Sequence, residues 1–230
     1  ESSYSHMLKN SEWGAVAYLT QSQYGRNGTE PNINNYYKST SSPYRIALTG
    51  VYANGTTTRA TTTLGSAWYT GTGKLGSSTE NETGVYDLNG CIWERVAGYI
   101  TNGNATLTNY KGSLNWVTTT ANADGYQTLS DKYYTVYPYN SSNDSNTSNW
   151  TLYNELKNST YGYGDAILET STSGSGSNSW YTDCSYYANT NVPFFERGGS
   201  YSIGSDSGSF SFNIPTGSPY CYDGFRAVLC

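Results

Sequence analysis

Histidine and methionine each occur once in this chain of 230 residues, and charged residues make up only 13% of it. With His6 as the single histidine, few side chains can act as a general base near neutral pH. The net charge is −5 and there is no basic run, which argues against a nucleic-acid partner. No apolar run approaches the roughly 20 residues that span a membrane. The start of the chain has no signal-peptide pattern either.

Cysteine is also scarce, and its spacing excludes the common metal motifs. The four cysteines form no C-x-x-C pair, and His6 is distant from all of them in sequence, so we do not expect a zinc site. Four cysteines allow three disulfide pairings, and the sequence does not choose among them. Low charge, abundant Ser, Thr and Asn, and cysteines able to pair favour an extracellular setting. These cysteines are Cys91, Cys184, Cys221 and Cys230.

Tyrosine is the residue in excess, with 25 copies, and aromatic residues reach 16%. Such an aromatic content argues against disorder. Tyr gives large, stiff contacts at low entropy cost, and Ser, Gly and Asn add adaptable hydrogen bonds, a composition typical of antibody-type binding surfaces. The alternative is an ordinary β-rich protein whose strands are filled with Tyr. No linker divides the chain, which predicts a single domain over residues 1–230. Because Glu1 opens in mid-sequence style, we expect a fragment excised from a longer protein.

The pattern of apolar residues predicts an α+β fold. Residues 5–20 predict one long helix, capped by Ser5, with Leu8, Ala15, Val16 and Leu19 on its apolar face and Gly25 as a stop. Residues 85–100 predict a strand covered on both faces, because both alternating sets around Trp93 are partly apolar. The Asn-Gly pairs at 27–28 and 54–55 predict turns.

The rest of the chain predicts a small, irregular antiparallel sheet with long loops. Residues 45–51 form a short strand-like piece, and strands and loops alternate from residue 180 onward. Residues 140–149 and 171–179 are polar loops. Between them Leu152 and Leu156 indicate one short helix, capped by Ser148 or Asn149.

Four motifs stand in a particular order along the chain. Ser11-Glu12-Trp13 lies in the predicted helix, and Thr83-Gly84-Val85-Tyr86-Asp87-Leu88-Asn89-Gly90-Cys91-Ile92-Trp93-Glu94 runs into the strand predicted over residues 85–100. Arg197-Gly198-Gly199-Ser200-Tyr201 and Gly224-Phe225-Arg226 follow near the end. In this order they resemble the formylglycine-generating-enzyme (sulfatase-modifying factor) branch of the C-type lectin fold. The resemblance covers nearly the whole chain and implies that fold.

These motif residues are expected to hold the fold rather than to touch a ligand. Trp93 is a large anchor for a small core. Glu94, Arg197 and Arg226 are charges in apolar strand contexts, so we expect them to be paired. Gly198 and Gly199 permit a close backbone approach. The predicted structural set is Trp93, Glu94, Arg197, Gly198, Gly199, Phe225 and Arg226.

Within that branch the chain is similar to the variable proteins of diversity-generating retroelements, notably pilin-like surface adhesins of gut bacteria. The similar stretches are residues 7–19, Gly164-Asp165-Ala166, and Pro193-Phe194-Phe195 before the Arg-Gly-Gly. The resemblance implies that mutagenesis diversifies codons near the C-terminus and that the fold displays those residues on one exposed face. Carried over by position, the ligand-binding candidates are Ser202, Ile203, Ser205, Asp206, Ser209, Ser211, Ile214, Ser218, Tyr220, Cys221, Tyr222 and Asp223.

The residues themselves give this face partial support. Ser209, Ser211 and Asn213 alternate with Phe210 and Phe212, so the Phe pair can face the core while the polar set faces solvent. Tyr220 and Tyr222 flank Cys221 in a short loop before the last strand. The alternative is an ordinary solvated loop face.

Catalysis is not expected. The formylglycine-generating enzyme uses a cysteine pair shortly before its G-F-R strand, and only Cys221 stands there, so we predict no enzyme activity. Glu30-Pro31-Asn32 matches a calcium and sugar motif of animal C-type lectins, but it has no W-N-D partner and comes too early. We therefore predict no cofactor and no metal in the site; a structural calcium held by loop carbonyls and Asp residues stays open.

Together these patterns predict the ligand-binding head of a surface protein, carried on a cell, on a pilus or, alternatively, on a phage particle. Its ligand would be a protein or glycan on another cell or host surface, and a membrane would be reached only through a missing N-terminal segment. The first rival is a non-diversified structural or adhesive domain of a pilus or surface protein. A redox enzyme and a calcium-dependent sugar-binding lectin are the others.

Overall fold

The computed structural model combines one α-helix with small β-sheets, so the predicted α+β class is confirmed. The helix and strands are β1 (Ser5–Met7), α1 (Asn10–Gln21), β2 (Val51–Tyr52), β3 (Ser66–Ala67), β4 (Trp93–Ile100), β5 (Thr135–Tyr137), β6 (Phe194–Arg197), β7 (Phe212–Asn213), β8 (Asp223–Phe225) and β9 (Ala227–Leu229). The structure describes residues 5–35, 49–52, 66–100, 133–137, 164–167, 169, 183–186, 192, 194–215, 217–218, 220 and 222–229.

Helix α1 starts later than predicted. Ser5 is not its cap: Ser5–Met7 is strand β1, paired antiparallel with β9. The helix begins at Asn10, where the Glu12 carboxylate accepts a hydrogen bond from the Lys9 backbone N–H at 2.8 Å. That bond satisfies one of the amides which a helix start leaves without a partner. The helix ends at Gln21, before Gly25.

The predicted apolar face of α1 is confirmed only in part. Leu8, just before the helix, is buried and Val16 packs against the main core, whereas Ala15 is exposed and Leu19 is 61% exposed. Trp13, Ala17 and Thr20 are buried instead. Trp13 has the most surface to remove from water, and its indole N–H donates to the Ser209 carbonyl at 2.6 Å. The buried polar residue on the same face is satisfied, since the Thr20 hydroxyl donates to the Val16 carbonyl at 2.6 Å. The helix is therefore oriented by its tryptophan.

The central sheet is mixed, not antiparallel as predicted. Strand β4 pairs antiparallel with β6 along one edge, and β6 pairs antiparallel with β7. Along its other edge β4 pairs with β8 and then with β5, and both pairings are parallel. The reason for the β8 direction is local: the chain enters β8 beside the start of β4, where the Trp93 N–H donates to the Tyr222 carbonyl at 2.9 Å.

Strand β4 is covered on both faces, as predicted, although it begins at Trp93 rather than at residue 85. One face carries the main core, in which Val96 packs with Trp13 of α1 and with Phe195 and Phe212 of the neighbouring strands. The other face carries a smaller cluster around Ala97 and Tyr99.

The structure confirms two further local predictions, and several others fall outside the described residues. Asn27 and Gly28 both have positive φ, which confirms that turn. The alternation of strands and loops after residue 180 is confirmed by β6 to β9. Of the strand-like piece 45–51, Val51 lies in β2, and residues 45–48 lie outside the described residues. So do the Asn-Gly pair at 54–55, the polar loops 140–149 and 171–179, and the helix indicated between them.

Candidate functional site

We call strands β4, β6 and β7, with the turn at Gly198 and Gly199, the frame of the candidate site. An ion pair joins buried Glu94 of β4 to half-buried Arg226, which lies between β8 and β9. Arg226 Nε donates to Glu94 Oε2 at 2.9 Å, and its Nη2 donates to Glu94 Oε1 and, at 3.0 Å, to the Tyr86 carbonyl. Burial raises the pKa of the Glu94 carboxyl, and Arg226 opposes that shift. The expectation that these two charges are paired is confirmed.

Arg197 is the second buried charge of the frame, and it is completely removed from solvent. Its Nη2 donates to the Ala166 carbonyl at 2.8 Å and its Nη1 to the Asp165 carbonyl at 3.2 Å. The guanidinium also lies over the rings of Trp13 and Phe212, at 5.7 and 5.3 Å from their centroids. Arg197 thus joins β6 to α1 and to the turn at residues 164–166, and it is partnered, as predicted.

The two glycines after Arg197 make the close approach that the sequence predicts. Gly198 and Gly199 have φ of +85° and +82°, in the left-handed region that favours glycine. A Cβ on Gly199 would lie 2.4 to 2.6 Å from atoms of Ser207, and one on Gly198 would lie 3.0 Å from the Leu88 carbonyl oxygen. This turn sends the chain from β6 toward the first candidate stretch.

Two of the candidate stretches meet at the start of β4. The Tyr201 N–H donates to the Cys91 carbonyl, and the Trp93 N–H donates to the Tyr222 carbonyl, both at 2.9 Å. The residues after Tyr201 and those before Asp223 therefore flank the same short segment, residues 91–93. The structure brings together stretches that lie about 20 residues apart in the sequence.

The first stretch is half-buried and held through its backbone. Ser202, Ile203 and Asp206 are half-buried, and Ser205 lies with Asp206 in the 3-10 turn Gly204–Asp206. The hydroxyls of Ser200 and Ser202 are 2.8 Å apart, and the Asp206 carbonyl accepts from the Cys184 N–H at 2.7 Å.

The second stretch carries the most exposed of the candidate side chains that the structure describes. Tyr220 is 54% exposed and stacks on half-buried Tyr222, with ring centroids 5.6 Å apart and an interplanar angle of 14°. Ser218 is half-buried beside them. Cys221 lies outside the described residues. We call the described residues Gly217, Ser218, Tyr220 and Tyr222 the tyrosine loop.

The expectation that Ser209 and Ser211 face solvent is wrong, because both are fully buried. Residues 183–186 run along the outer edge of β7, where the Phe212 N–H donates to the Cys184 carbonyl at 2.9 Å. The Ser211 hydroxyl donates to the same carbonyl at 3.1 Å. This segment covers the side of the strand that the alternation pattern assigned to solvent, while Phe210 and Phe212 are buried as predicted.

Two further candidates are engaged inside the protein. Ile214 packs against the main core. The Asp223 side chain is only 6% exposed, and its Oδ2 accepts from Arg95 Nη2 at 2.5 Å. Among the candidate side chains that the structure describes, those that are at least partly exposed and are not part of the main core or its contacts are Ser202, Ile203, Asp206, Ser218, Tyr220 and Tyr222.

The two described cysteines are free thiols. Burial raises the pKa of both Cys91 and Cys184 to about 12, so each is a neutral thiol and a poor nucleophile at pH 7. Cys230, like Cys221, lies outside the described residues.

Sequence reasoning missed a pair of carboxyl groups, buried Asp183 and half-buried Glu30. Glu30 and Asp183 are hydrogen-bonded to each other, Asn89 Nδ2 donates to Glu30 Oε1 at 2.8 Å, and the Phe210 N–H donates to Asp183 Oδ2 at 3.0 Å. Burial is the main cause that raises the pKa of both carboxyls, so the pair holds a proton at neutral pH. The sequence contains no signal for this pair, because each acid stands alone in a polar segment.

This pair should make stability depend on pH. The folded chain keeps a proton that the unfolded chain releases above the ordinary pKa of about 4.5. The free energy of unfolding therefore falls as the pH rises above that value, by up to about 1.4 kcal/mol per pH unit for one proton. In Glu30→Gln the amide donates to Asp183 without titrating, so we expect a shallower slope in urea unfolding between pH 6 and 9.

The matched control is Glu82→Gln, which removes an exposed carboxylate paired with Lys74 at 2.9 Å. It should keep the slope of the wild-type protein. Equal slopes for the wild type and Glu30→Gln would contradict the shared proton.

None of the described helices is long and apolar enough to cross a membrane. No three His, Cys, Asp or Glu side chains of the described residues come together in a way that could hold a metal ion. Comparison of the chain with protein-family models, curated proteins and solved structures finds no match.

Proposed function

We propose that this chain is a ligand-binding domain displayed on a cell or particle surface. In this proposal it has a C-type lectin fold of the formylglycine-generating-enzyme type, as its four ordered motifs imply. The observation that carries the proposal is exposed Tyr220, stacked on half-buried Tyr222 in a loop beside the start of β4. The ligand is a protein or glycan on another surface, bound without catalysis.

The physical support is the contrast between the frame and the tyrosine loop. Charged groups and the double-glycine turn hold β4 and β6 in the interior, and Arg226, which follows β8, ties that strand to Glu94 of β4. Side chains with few rotatable bonds, such as Tyr, lose little entropy when they bind on such a rigid scaffold. Loops that a buried scaffold positions are common places for recognition.

We further propose that a retroelement diversifies this face. The positions that fit such a role are those which the frame does not use: Ser202, Ile203, Asp206, Ser218, Tyr220 and Tyr222. Ser209, Ser211, Ile214 and Asp223 support the fold from the inside, so we exclude their side chains from ligand contact.

Sequencing the gene from its native population tests diversification. We expect substitutions concentrated at residues 202–206 and 218–222, with residues 1–190 nearly constant and the buried Ser209 and Ser211 constrained. Sparse, even substitution along the chain would instead indicate a fixed adhesive or structural domain.

Tyr220→Ala tests binding directly. Tyrosine anchors at the centre of an interface contribute about 2 kcal/mol or more. On a glycan array and a panel of purified cell-surface proteins, we expect at least about a tenfold loss of affinity for whichever probe the wild type binds. Tyr24→Ala, an exposed tyrosine beyond α1, is the matched control and should bind as the wild type does. Equal loss in both variants, or none in Tyr220→Ala, would contradict the proposed site.

A further inference from the structure

A row of polar side chains crosses the sheet directly beside the tyrosine loop. Asn213 of β7 lies opposite Glu196 of β6, and Glu196 lies opposite Arg95 of β4. Residues in register across strands project from the same face. These three side chains therefore share the face opposite the main core, and Asp223 of β8 reaches the same place through its contact with Arg95.

Arg95 is the centre of this row. Its Nη2 donates to the Ser218 carbonyl at 2.6 Å and to Asp223 Oδ2 at 2.5 Å, and it lies 3.3 Å from Glu196 Oε1. The exposed fractions of the side chains are 22% for Arg95, 6% for Asp223 and 3% for Glu196. One cation thus faces two acids where water has little access.

The Glu196 and Asp223 carboxyls both contact Arg95 Nη2, so they lie close to each other, and a proton shared between them removes the repulsion of two negative charges. Burial, followed by the nearby Asp223, raises the pKa of Glu196 to about 8. The charged groups that face Glu196 are Arg95 and Asp223, and Asn213 adds a neutral hydrogen bond. With the proton in place, one negative charge balances Arg95; without it, two negative charges face one cation.

The tyrosine loop is attached here through backbone carbonyls. The Ser218 carbonyl accepts from Arg95, the Tyr222 carbonyl accepts from the Trp93 N–H, and the Tyr220 carbonyl accepts from the Asp223 N–H at 3.2 Å. A carbonyl is present whatever the side chain. These three attachments therefore leave the side chains at 218, 220 and 222 available for ligand contact.

We propose that Arg95 is a positioning residue for the tyrosine loop, and that the Glu196–Asp223 pair releases this loop when its shared proton is lost. Loss of the proton drives one carboxylate toward water, and Arg95 then withdraws from the Ser218 carbonyl. A ligand bound by the tyrosine loop would dissociate more readily above the transition. This inference rests on the proposed function for its biological meaning, although its test needs no ligand.

Hydrogen exchange with the backbone amides provides the test. The Trp93 and Asp223 amides report on the loop, since they donate to its carbonyls, and the Gly198 and Phe212 amides report on the frame. Between pH 6 and 9 we expect the wild-type loop protection factors to fall about tenfold, the change that one proton released near pH 8 permits. The protection factors of the frame amides should stay constant over this pH range. Glu196→Gln, whose amide donates without titrating, should keep high loop protection throughout.

Arg95→Met should show low loop protection at every pH, with frame protection preserved. The matched control is Arg26→Met, which breaks the 2.5 Å contact of Arg26 with Glu80 and should leave the pH dependence of the loop unchanged. Parallel changes of loop and frame in Arg95→Met, or a pH-independent loop in the wild type, would overturn the proposal. If Arg95→Met does not fold, the comparison of the wild type with Glu196→Gln decides.

Hydrogen exchange is measured on the free protein. If the loop protection does not change with pH as expected, the proposed binding function is therefore not contradicted. Conversely, the expected exchange pattern together with no effect of Tyr220→Ala on binding would support the positioning role of Arg95 and contradict the binding site.

Discussion

Replacement of Arg197 by methionine should destabilise the protein by about 3–5 kcal/mol, the usual effect of removing one partner from a buried charged network. Methionine fills much of the volume but donates no hydrogen bond. The carbonyls of Asp165 and Ala166 would lose their donor, and the buried Asp183 would lose a nearby cation that lowers its pKa. Such a loss is a large part of the ~5–15 kcal/mol that separates folded from unfolded domains.

Urea unfolding followed by tryptophan fluorescence measures this effect. Lys74→Met is the control, because Lys74 forms an exposed pair with Glu82 that should contribute within about 1 kcal/mol. An Arg197→Met variant within about 1 kcal/mol of the control would contradict the role we assign to this residue.

Gly14→Ala should also destabilise the protein, although the same change inside a helix ordinarily stabilises by ~0.5–1 kcal/mol. A Cβ on Gly14 would lie 1.8 Å from the Gly164 carbonyl oxygen and 2.8 Å from the Asp165 carbonyl carbon. These are backbone atoms of the turn that accepts the hydrogen bonds of Arg197, so they cannot move alone. We expect a loss of at least about 2 kcal/mol from overpacking.

Gly71→Ala provides the matched comparison in the same unfolding assay. Gly71 is exposed, and an added Cβ there would have no atom within 4 Å. Its stability should stay close to that of the wild type. A stabilised Gly14→Ala variant would show that α1 does not pack against the turn at residues 164–166.

Local features with a strong chemical signal could be predicted from the sequence. The strand around Trp93 and the turn at Asn27 and Gly28 follow from apolar runs and turn residues. That Glu94 and Arg226 are paired follows from the cost of an unpaired buried charge, although the sequence did not name their partners. The orientation of α1 could not be predicted in the same way. The helical pattern places Leu19 on the buried face, but the larger apolar surface of Trp13 decides which face is buried.

The candidate site also contains features that the sequence could not predict. Alternation of Ser and Phe assigned Ser209 and Ser211 to solvent, because the pattern contains no information about distant segments. The Ser211 hydroxyl bonds to Cys184, and the Ser209 carbonyl accepts from Trp13 of α1. The parallel direction of β8 and the acid pairs Glu30–Asp183 and Glu196–Asp223 depend on contacts between distant segments. The exposed Tyr220, by contrast, agrees with its place in a polar loop before the last strand.

The pairing of β1 with β9 has a mechanical consequence. Ser5 lies opposite Leu229 and Met7 opposite Ala227, so tension applied between residues 5 and 229 would open this ribbon one hydrogen bond at a time. Tension between residue 5 and Tyr222 would instead pull the two strands along their axes in opposite directions. All bonds of the ribbon then share the load and must break together. The β1–β9 ribbon would therefore resist a force applied at the tyrosine loop better than a force applied at residue 229.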